Sequence, residues 1–182
     1  AAIDCSLIAE KLGIRVSGKT IEIPFFNQIF TITPDAITDG KGNKPHHAVC
    51  VILCKYLLSC PEMLTQSNDF ATYKDFKDAA PYVQGFRNTA ELPIAKHFSG
   101  NLKHLEKKCL ELGGETYETD VFCDLAMQFQ ALPMVPVFLI FNDADEDFSS
   151  QCTFLFQKNA ETYLDMECVA MVGNMLFYWL TG

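Results

Sequence analysis

The sequence lacks the short motifs by which the commonest enzyme classes are recognised. It contains no G-x-S-x-G nucleophile elbow, no G-x-x-x-x-G-K phosphate loop, no G-x-G-x-x-G dinucleotide fingerprint and no H-E-x-x-H zinc motif. It also contains no C-x-x-C pair, which argues against a four-cysteine iron–sulfur cluster. These absences weaken the case for an enzyme and leave catalytic activity an open question.

Basic residues and long apolar segments are also scarce. Lys and Arg number 14 against 23 Asp and Glu, so the formal net charge is −9 and repels both phosphate backbones and anionic lipid. The longest apolar run, 132–141, contains two prolines and is about half as long as a membrane-spanning helix. Residues 1–14 lack the basic start and apolar core of a signal peptide. We therefore expect neither nucleic acid nor a membrane as a partner.

The cysteines do not form the framework of a small disulfide-bonded protein. Eight of them are scattered singly through apolar stretches rather than set among turn residues. Free cysteine is among the most readily buried residue types. We therefore expect reduced thiols and a cytoplasmic location. The sequence identifies no cofactor and does not fix the oligomeric state.

The hydrophobic pattern predicts both strands and helices. Alternating apolar residues over 19–33 predict a β-hairpin, and further strands are expected near 73–76 and over 119–127, 135–141 and 152–156. Helical spacing predicts helices over 4–12, 45–61, 89–98 and 101–112, and a last helix capped by Asp165. Because strands and helices do not alternate as in βαβ units, we predict an α+β fold, with helices packed on a mostly antiparallel sheet. Residues 1–182 are expected to form a single domain.

Landmarks spread from His47 to Leu180 carry a family resemblance. They are the aromatic residues Phe70, Tyr73 and Phe76, the segment 92–95 with Phe98, the segment 112–114 with Asp120, the segment 132–136, the acidic turn 145–148, the segment 154–156, and Tyr163-Leu164 with Glu167. In their order and spacing the sequence resembles the uncharacterised prokaryotic family known as domain of unknown function 3786. The resemblance implies no established activity.

Some members of that family carry an added cysteine-rich iron–sulfur segment, which implies a role in anaerobic one-carbon or redox metabolism. This sequence departs from that pattern because it has no C-x-x-C. It also has Ser149 where the family tends to have proline and Gln157 where the family tends to have aspartate. These departures place any site at those positions in doubt.

An acidic turn is the first candidate metal site. Asp143, Asp145, Glu146 and Asp147 lie within five residues, and crowded carboxylates raise one another's pKa unless a cation neutralises them. The turn begins like an EF-hand, but Phe148 stands where the sharp turn needs glycine, so that loop type is rejected. The alternative is a solvated acidic connection between two apolar strands.

One face of the predicted helix 45–61 is the second candidate. His46, Cys50 and Cys54 follow one another at four-residue steps, so their side chains lie along one face and adjacent members could share a soft metal. Three ligands spread over two helical turns do not meet one ion without a bend. The alternative is that Cys50 and Cys54 belong to a buried stripe and His46 is exposed.

A third candidate is a ligand pocket with aromatic walls. The sequence holds 15 Phe, and five rings crowd into the segment 70–86 without amphipathic order. Apolar walls with a few polar groups are the usual construction of small-molecule sites. We place the pocket between this segment and the strand 135–141. Its predicted lining is Phe70, Tyr73, Phe76, Tyr82 and Phe86.

Taken together, these patterns favour a non-catalytic cytoplasmic domain that binds a small ligand or a partner protein. The family resemblance adds the expectation of a role in anaerobic one-carbon or redox metabolism. The alternative is a metal-dependent enzyme or metal-carrying protein that uses the acidic turn or the His/Cys helix face. That alternative requires at least three ligand atoms converging in a cleft. A third hypothesis, an interaction subunit, predicts a large exposed aromatic patch.

Overall fold

Two antiparallel sheets organise the protein, seen here in a computed structural model that describes residues 5–63, 67 and 69–182. The first sheet has the strand order β1-β2-β3-β4, and the second has the order β5-β9-β8-β7-β6. The first comprises β1 (Arg15–Ser17), β2 (Thr20–Phe25), β3 (Gln28–Ile32) and β4 (Ile37–Thr38). The second comprises β5 (Phe70–Thr72), β6 (Glu115–Thr116), β7 (Leu125–Leu132), β8 (Val135–Asn142) and β9 (Gln151–Gln157).

Six helices of the described residues cover these sheets. They are α1 (Cys5–Leu12), α2 (His47–Leu58), α3 (Val83–Phe86, Arg87–Glu91 and Leu92–Phe98 without a break), α4 (Leu102–Glu111), α5 (Ala160–Tyr163) and α6 (Met166–Thr181). Asp165 caps α6 as expected, because its carboxylate accepts the Cys168 N–H at 2.9 Å. No helix in the described part of the chain has both the length and the apolar character needed to cross a membrane.

The core is formed by residues of both sheets, above all of β8, and of helix α6. Strand β8 lies between β7 and β9 and is buried along nearly its whole length, with the rings of Phe70 and Tyr117 packed on its Phe138. The two sheets join where the hairpin residue Phe26 donates its N–H to the Ala131 carbonyl at 2.8 Å. The rings of Phe25 and Phe26 both pack on Trp179 of α6, with centroids 5.5 and 5.4 Å away. One continuous hydrophobic core results.

The predicted α+β class and antiparallel pairing are confirmed in a single-domain arrangement. The hairpin 19–33, the strands near 135–141 and 152–156, and the helix ending at Gly113 all form close to their predicted bounds. Two of the predicted strands were wrong in position. The strand expected near 73–76 lies earlier, as β5 at Phe70–Thr72. Residues 73–75 instead form a 3₁₀ turn, because Thr72 and Asp75 cap each other there. The strand expected over 119–127 begins only at Leu125.

Candidate functional site

Helix α3 contains a π-helical segment, Arg87–Glu91, in its middle. The N–H of Leu92 donates to the carbonyl of Arg87, five residues back. Pro93 explains the change of pitch, since proline inside a helix lacks an N–H and its ring clashes with the carbonyl four residues earlier. The sequence pattern predicted a helix starting near Thr89 with Pro93 in its first turn, whereas the helix starts at Val83. Segments of this kind are frequent at functional sites.

Glu91, the last residue of the π segment, reaches the edge of the second sheet. Its Oε1 accepts the N–H of Phe154 in β9 at 3.2 Å. Strand β5 pairs with β9 only as far as Thr72 opposite Leu155, so Glu91 takes the amide one residue beyond the end of that strand. Burial raises the pKa of the Glu91 carboxyl, and the amide of Phe154 and the charges of Arg87 and Lys74 only partly offset that increase.

Glu91 forms part of a cavity of about 390 Å³. Its lining includes Tyr73, Lys74, Phe86, Arg87, Glu91 and Thr153. The rings of Tyr73 and Phe86 are buried and stacked, with centroids 4.3 Å apart, and they form its apolar floor. The Tyr73 hydroxyl donates to the Met166 carbonyl at 2.6 Å, so it is directed into the protein. Lys74 and Arg87 are exposed at the mouth.

This arrangement combines an apolar floor with two cations and one half-buried carboxyl. The floor removes apolar ligand surface from water, and Arg87 can hold a carboxylate or phosphate through two parallel N–H bonds. A carboxyl with a raised pKa is protonated more readily and can then donate a hydrogen bond. The cavity therefore suits a small molecule that has an apolar body and an anionic group.

A comparison with known protein families identifies the chain. The model of the family described as domain of unknown function (DUF3786) matches residues 4–179. The chain belongs to this family. The match extends the resemblance noted from His47 onward to nearly the whole sequence. Neither a curated protein nor a solved structure matches this DUF3786 domain.

The five aromatic residues predicted to line a pocket are distributed over several places in the DUF3786 domain. Tyr73 and Phe86 line the cavity, whereas Phe76 is buried in the core against Phe156. Phe70 packs on Phe138, with ring centroids 4.4 Å apart, and Tyr82 lies in a separate groove with Asp165. The cavity wall is also provided by β9 through Thr153, and the expectation of a pocket against 135–141 does not match this cavity.

Sequence reasoning missed the polar half of the cavity. Lys74, Arg87 and Glu91 are ordinary charged residues in the sequence. Arg87 and Glu91 stand four residues apart, as neighbours on a helix face do, but Lys74 is distant and the spacing alone indicates no pocket. The available signal was Pro93 following a run of helix-compatible residues, which indicates an irregular turn of helix. Glu91 is the last residue of that turn and lines the cavity.

The acidic turn of the DUF3786 domain uses its carboxylates to hold its own backbone. Oδ1 of Asp143 accepts the N–H groups of Gly100 and Ala144 at 2.7 and 2.8 Å. Oδ1 of Asp145 accepts those of Asp147 and Phe148 at 2.8 and 2.7 Å. Glu146 and Asp147 are exposed. These hydrogen bonds are those of a capped loop, which is compatible with the solvated-connection alternative.

The His/Cys face of α2 does not gather its three side chains around one point. His46 caps the helix, with Nδ1 accepting the Ala48 N–H at 3.2 Å. Cys50 is half-buried and Cys54 exposed, so the alternative that placed both in a buried stripe is wrong for Cys54. Among residues 5–63, 67 and 69–182, no three His, Cys, Asp or Glu side chains are arranged to hold one metal ion. Metal binding at either place stays a prediction.

The cysteines whose side chains are described are all free thiols. Burial raises the pKa of Cys109 and Cys168 to about 12, and it raises the pKa of Cys152 as well. Thiolate is the nucleophilic form, so burial disfavours nucleophilic chemistry at these three positions.

Proposed function

We propose that this DUF3786 domain is a non-catalytic binding domain for a small molecule with an apolar body and an anionic group. The observation that carries the proposal is the cavity lined by Lys74, Arg87 and Glu91 together with the stacked rings of Tyr73 and Phe86. The volume of about 390 Å³ falls within the usual range for small-molecule sites.

The charge balance of the cavity supports an anionic ligand. Two cations line it, and burial favours the neutral form of its one carboxyl. Arg87 is the anchor we expect for the anion because its planar guanidinium matches carboxylate and phosphate, while Lys74 acts as a point charge. Because burial raises the pKa of Glu91, its carboxyl opposes a bound anion less than a carboxyl of ordinary pKa would.

We further propose that the domain works in the cytoplasm, in anaerobic one-carbon or redox metabolism. The free thiols support the compartment, because a reducing environment keeps cysteines in that form. The metabolic context rests on the family resemblance alone.

Four probe molecules that share one ring and differ in charge test the proposal. Benzoate and phenyl phosphate should raise the melting temperature, whereas benzylamine and benzyl alcohol should not. Arg87→Gln should abolish the shift by removing the bidentate donor. Arg15→Gln is the matched control, because Arg15 is also exposed but lies in the first sheet. Equal shifts with benzylamine, or an undiminished benzoate shift in Arg87→Gln, would contradict the proposal.

A further inference from the structure

A second surface, separate from the cavity at α3, combines exposed aromatic side chains with carboxylates. We call it the acidic–aromatic groove and define it by Leu102, Phe122, Asp124, Asp143, Asp145 and Phe148. It encloses about 630 Å³. Asp124 precedes β7, while Asp143, Asp145 and Phe148 belong to the β8–β9 loop; β7 and β8 pair, so both segments leave the same end of the sheet.

The two aromatic side chains of the groove are unusually exposed. Phe122 is 92% exposed and Phe148 is 68% exposed, and Val121 beside Phe122 is 55% exposed. Neither ring stacks on another ring in the described part of the chain. Exposed apolar groups that cluster in a patch with a polar rim mark protein interaction sites, whereas isolated ones do not. Phe122 and Phe148 are the residues on which the interaction-subunit hypothesis can be tested.

The carboxylates of the groove are held in place and carry no counter-charge. Asp124 Oδ2 accepts the Asp143 N–H at 2.7 Å, and the bonds of Asp143 and Asp145 to backbone amides fix those side chains in turn. Among the described residues that line the groove there is no Lys, Arg or His. No ion pair of the described chain involves Asp124, Asp143 or Asp145. The groove is thus a preorganised negative site beside an apolar one.

We propose that the acidic–aromatic groove docks a segment of a partner protein in which Arg or Lys side chains stand among apolar residues. The basic groups would pair with the three aspartates and lie over the faces of Phe122 and Phe148, where a cation is attracted by the ring. The apolar residues would cover the two rings and Leu102. A second copy is disfavoured, because a symmetric contact would set the same three aspartates against each other.

Three short synthetic peptides of equal length serve as probes of the groove. One alternates Arg with Leu and Phe, the second has Glu in place of Arg, and the third has Ser in place of the apolar residues. We expect only the first to bind, as measured by fluorescence anisotropy, and its affinity to fall with rising salt. In NMR spectra, the amide signals of Phe122, Asp124, Asp145 and Phe148 should shift on its addition.

Two double variants separate the apolar from the charged contribution. Phe122→Ser with Phe148→Ser should weaken binding of the first peptide about tenfold or more, since buried aromatic contacts dominate interfaces. Asp143→Asn with Asp145→Asn should weaken it to a similar extent while keeping the loop, because asparagine Oδ1 can accept the same N–H bonds. Leu58→Ser is the control: Leu58 is 84% exposed on α2, and its loss should leave the affinity unchanged.

The proposal is overturned if the Glu peptide binds as well as the Arg peptide, or if either double variant, shown to be folded by its NMR spectrum, binds the Arg peptide with unchanged affinity. Concentration-dependent dimers in light scattering that disappear in the Phe122→Ser/Phe148→Ser variant would also overturn it, in favour of a second copy. Unchanged benzoate binding in both double variants would show that the cavity at α3 is independent of this result.

Discussion

The carboxyl of Glu91 and the carboxylates of the acidic turn lie near the same strand, β9, but in different surroundings. Glu91 is half-buried in a cavity, and its pKa is raised by burial. Asp145, Glu146 and Asp147 are exposed, and Oδ1 of Asp145 accepts two backbone N–H groups of its own loop. The surroundings of Glu91 are set by packing, whereas those of the acidic-turn carboxylates are water and local hydrogen bonds.

This difference shows that a dense run of charge in a sequence is a weak guide to a ligand site. In the turn 143–147, the aspartates satisfy amides that would otherwise lack partners, which is the ordinary use of aspartate in loops. Glu91 stands alone in the sequence, yet the π segment and the early end of β5 place it in a cavity. Burial, which the sequence encodes only indirectly, decides which carboxyl has altered chemistry.

The largest effect we expect comes from displacing Phe86, one of the two rings that form the floor of the cavity. In Gly173→Ala the new Cβ would lie 2.4 Å from Cε2 of Phe86, so this ring, which lines the cavity, must shift. We expect a loss of about 3 kcal/mol in the free energy of unfolding, typical of an overpacked core, and loss of benzoate binding. Chemical denaturation and calorimetry measure the two effects.

Gly85→Ala is the matched control for this prediction. A Cβ at Gly85 meets nothing within 4 Å, although the residue lies in the same helix as Phe86. Alanine in a helix is favoured over glycine, so we expect a gain of about 0.5 kcal/mol. Equal changes of unfolding free energy in Gly173→Ala and Gly85→Ala would contradict the close packing of Gly173 in α6 on Phe86.

Glu91→Ala gives the next largest effect and contrasts the two carboxylate environments directly. The change leaves the Phe154 N–H without its acceptor, and an unsatisfied buried donor costs about 2 kcal/mol. Glu91→Gln keeps an oxygen for that bond and should cost far less. Asp147→Ala, on an exposed side chain, should change the stability by less than about 0.5 kcal/mol. Equal losses in Glu91→Ala and Asp147→Ala would remove the distinction drawn above.

Asp145 tests whether the acidic turn has a role beyond its own loop. Asp145→Ala should cost about 1 kcal/mol, the usual value for a lost cap, whereas Asp145→Asn should be nearly neutral. With Asp145→Asn and Asp147→Asn combined, we expect no change in the effect of added divalent cation on the melting temperature. A cation-dependent stabilisation that this double variant loses would instead support the metal hypothesis.

The amount of this structure that can be predicted from sequence follows from how local each feature is. The hairpin 19–33, the cap at Asp165 and the end of α4 at Gly113 depend on neighbouring residues, so periodicity and capping rules find them. The cavity depends on contacts between distant segments, such as Glu91 with Phe154. Tyr73 and Phe86 were found by composition alone, and Lys74, Arg87 and Glu91 were not.

The smallest effect we expect is in the pH dependence of stability, which separates Glu91 from Asp165. Burial would raise the pKa of Asp165, but its bonds to Lys55 and to the Cys168 amide lower it below the ordinary value. Its stabilisation is therefore present above the pKa of the unfolded chain and is lost as pH falls. Asp165→Asn should be most destabilising near neutral pH and progressively less so in acid.

Glu91 has the opposite sign because its pKa is raised in the folded state. A carboxyl whose pKa is higher in the folded than in the unfolded chain stabilises the fold at pH values below its unfolded pKa, near 4.3. That stabilisation is lost as the pH rises through the folded pKa. The charged groups that influence the pKa of Glu91 are Arg87 and Lys74, and Glu91 in turn helps to raise the pKa of the buried Cys152 thiol. As the pH rises from 4 to 7, the wild type should thus lose unfolding free energy relative to Glu91→Gln, because glutamine does not titrate. A difference that shifts the other way would mean that Arg87 and Lys74 outweigh burial, and the cavity would then hold an ionised carboxylate unsuited to an anionic ligand.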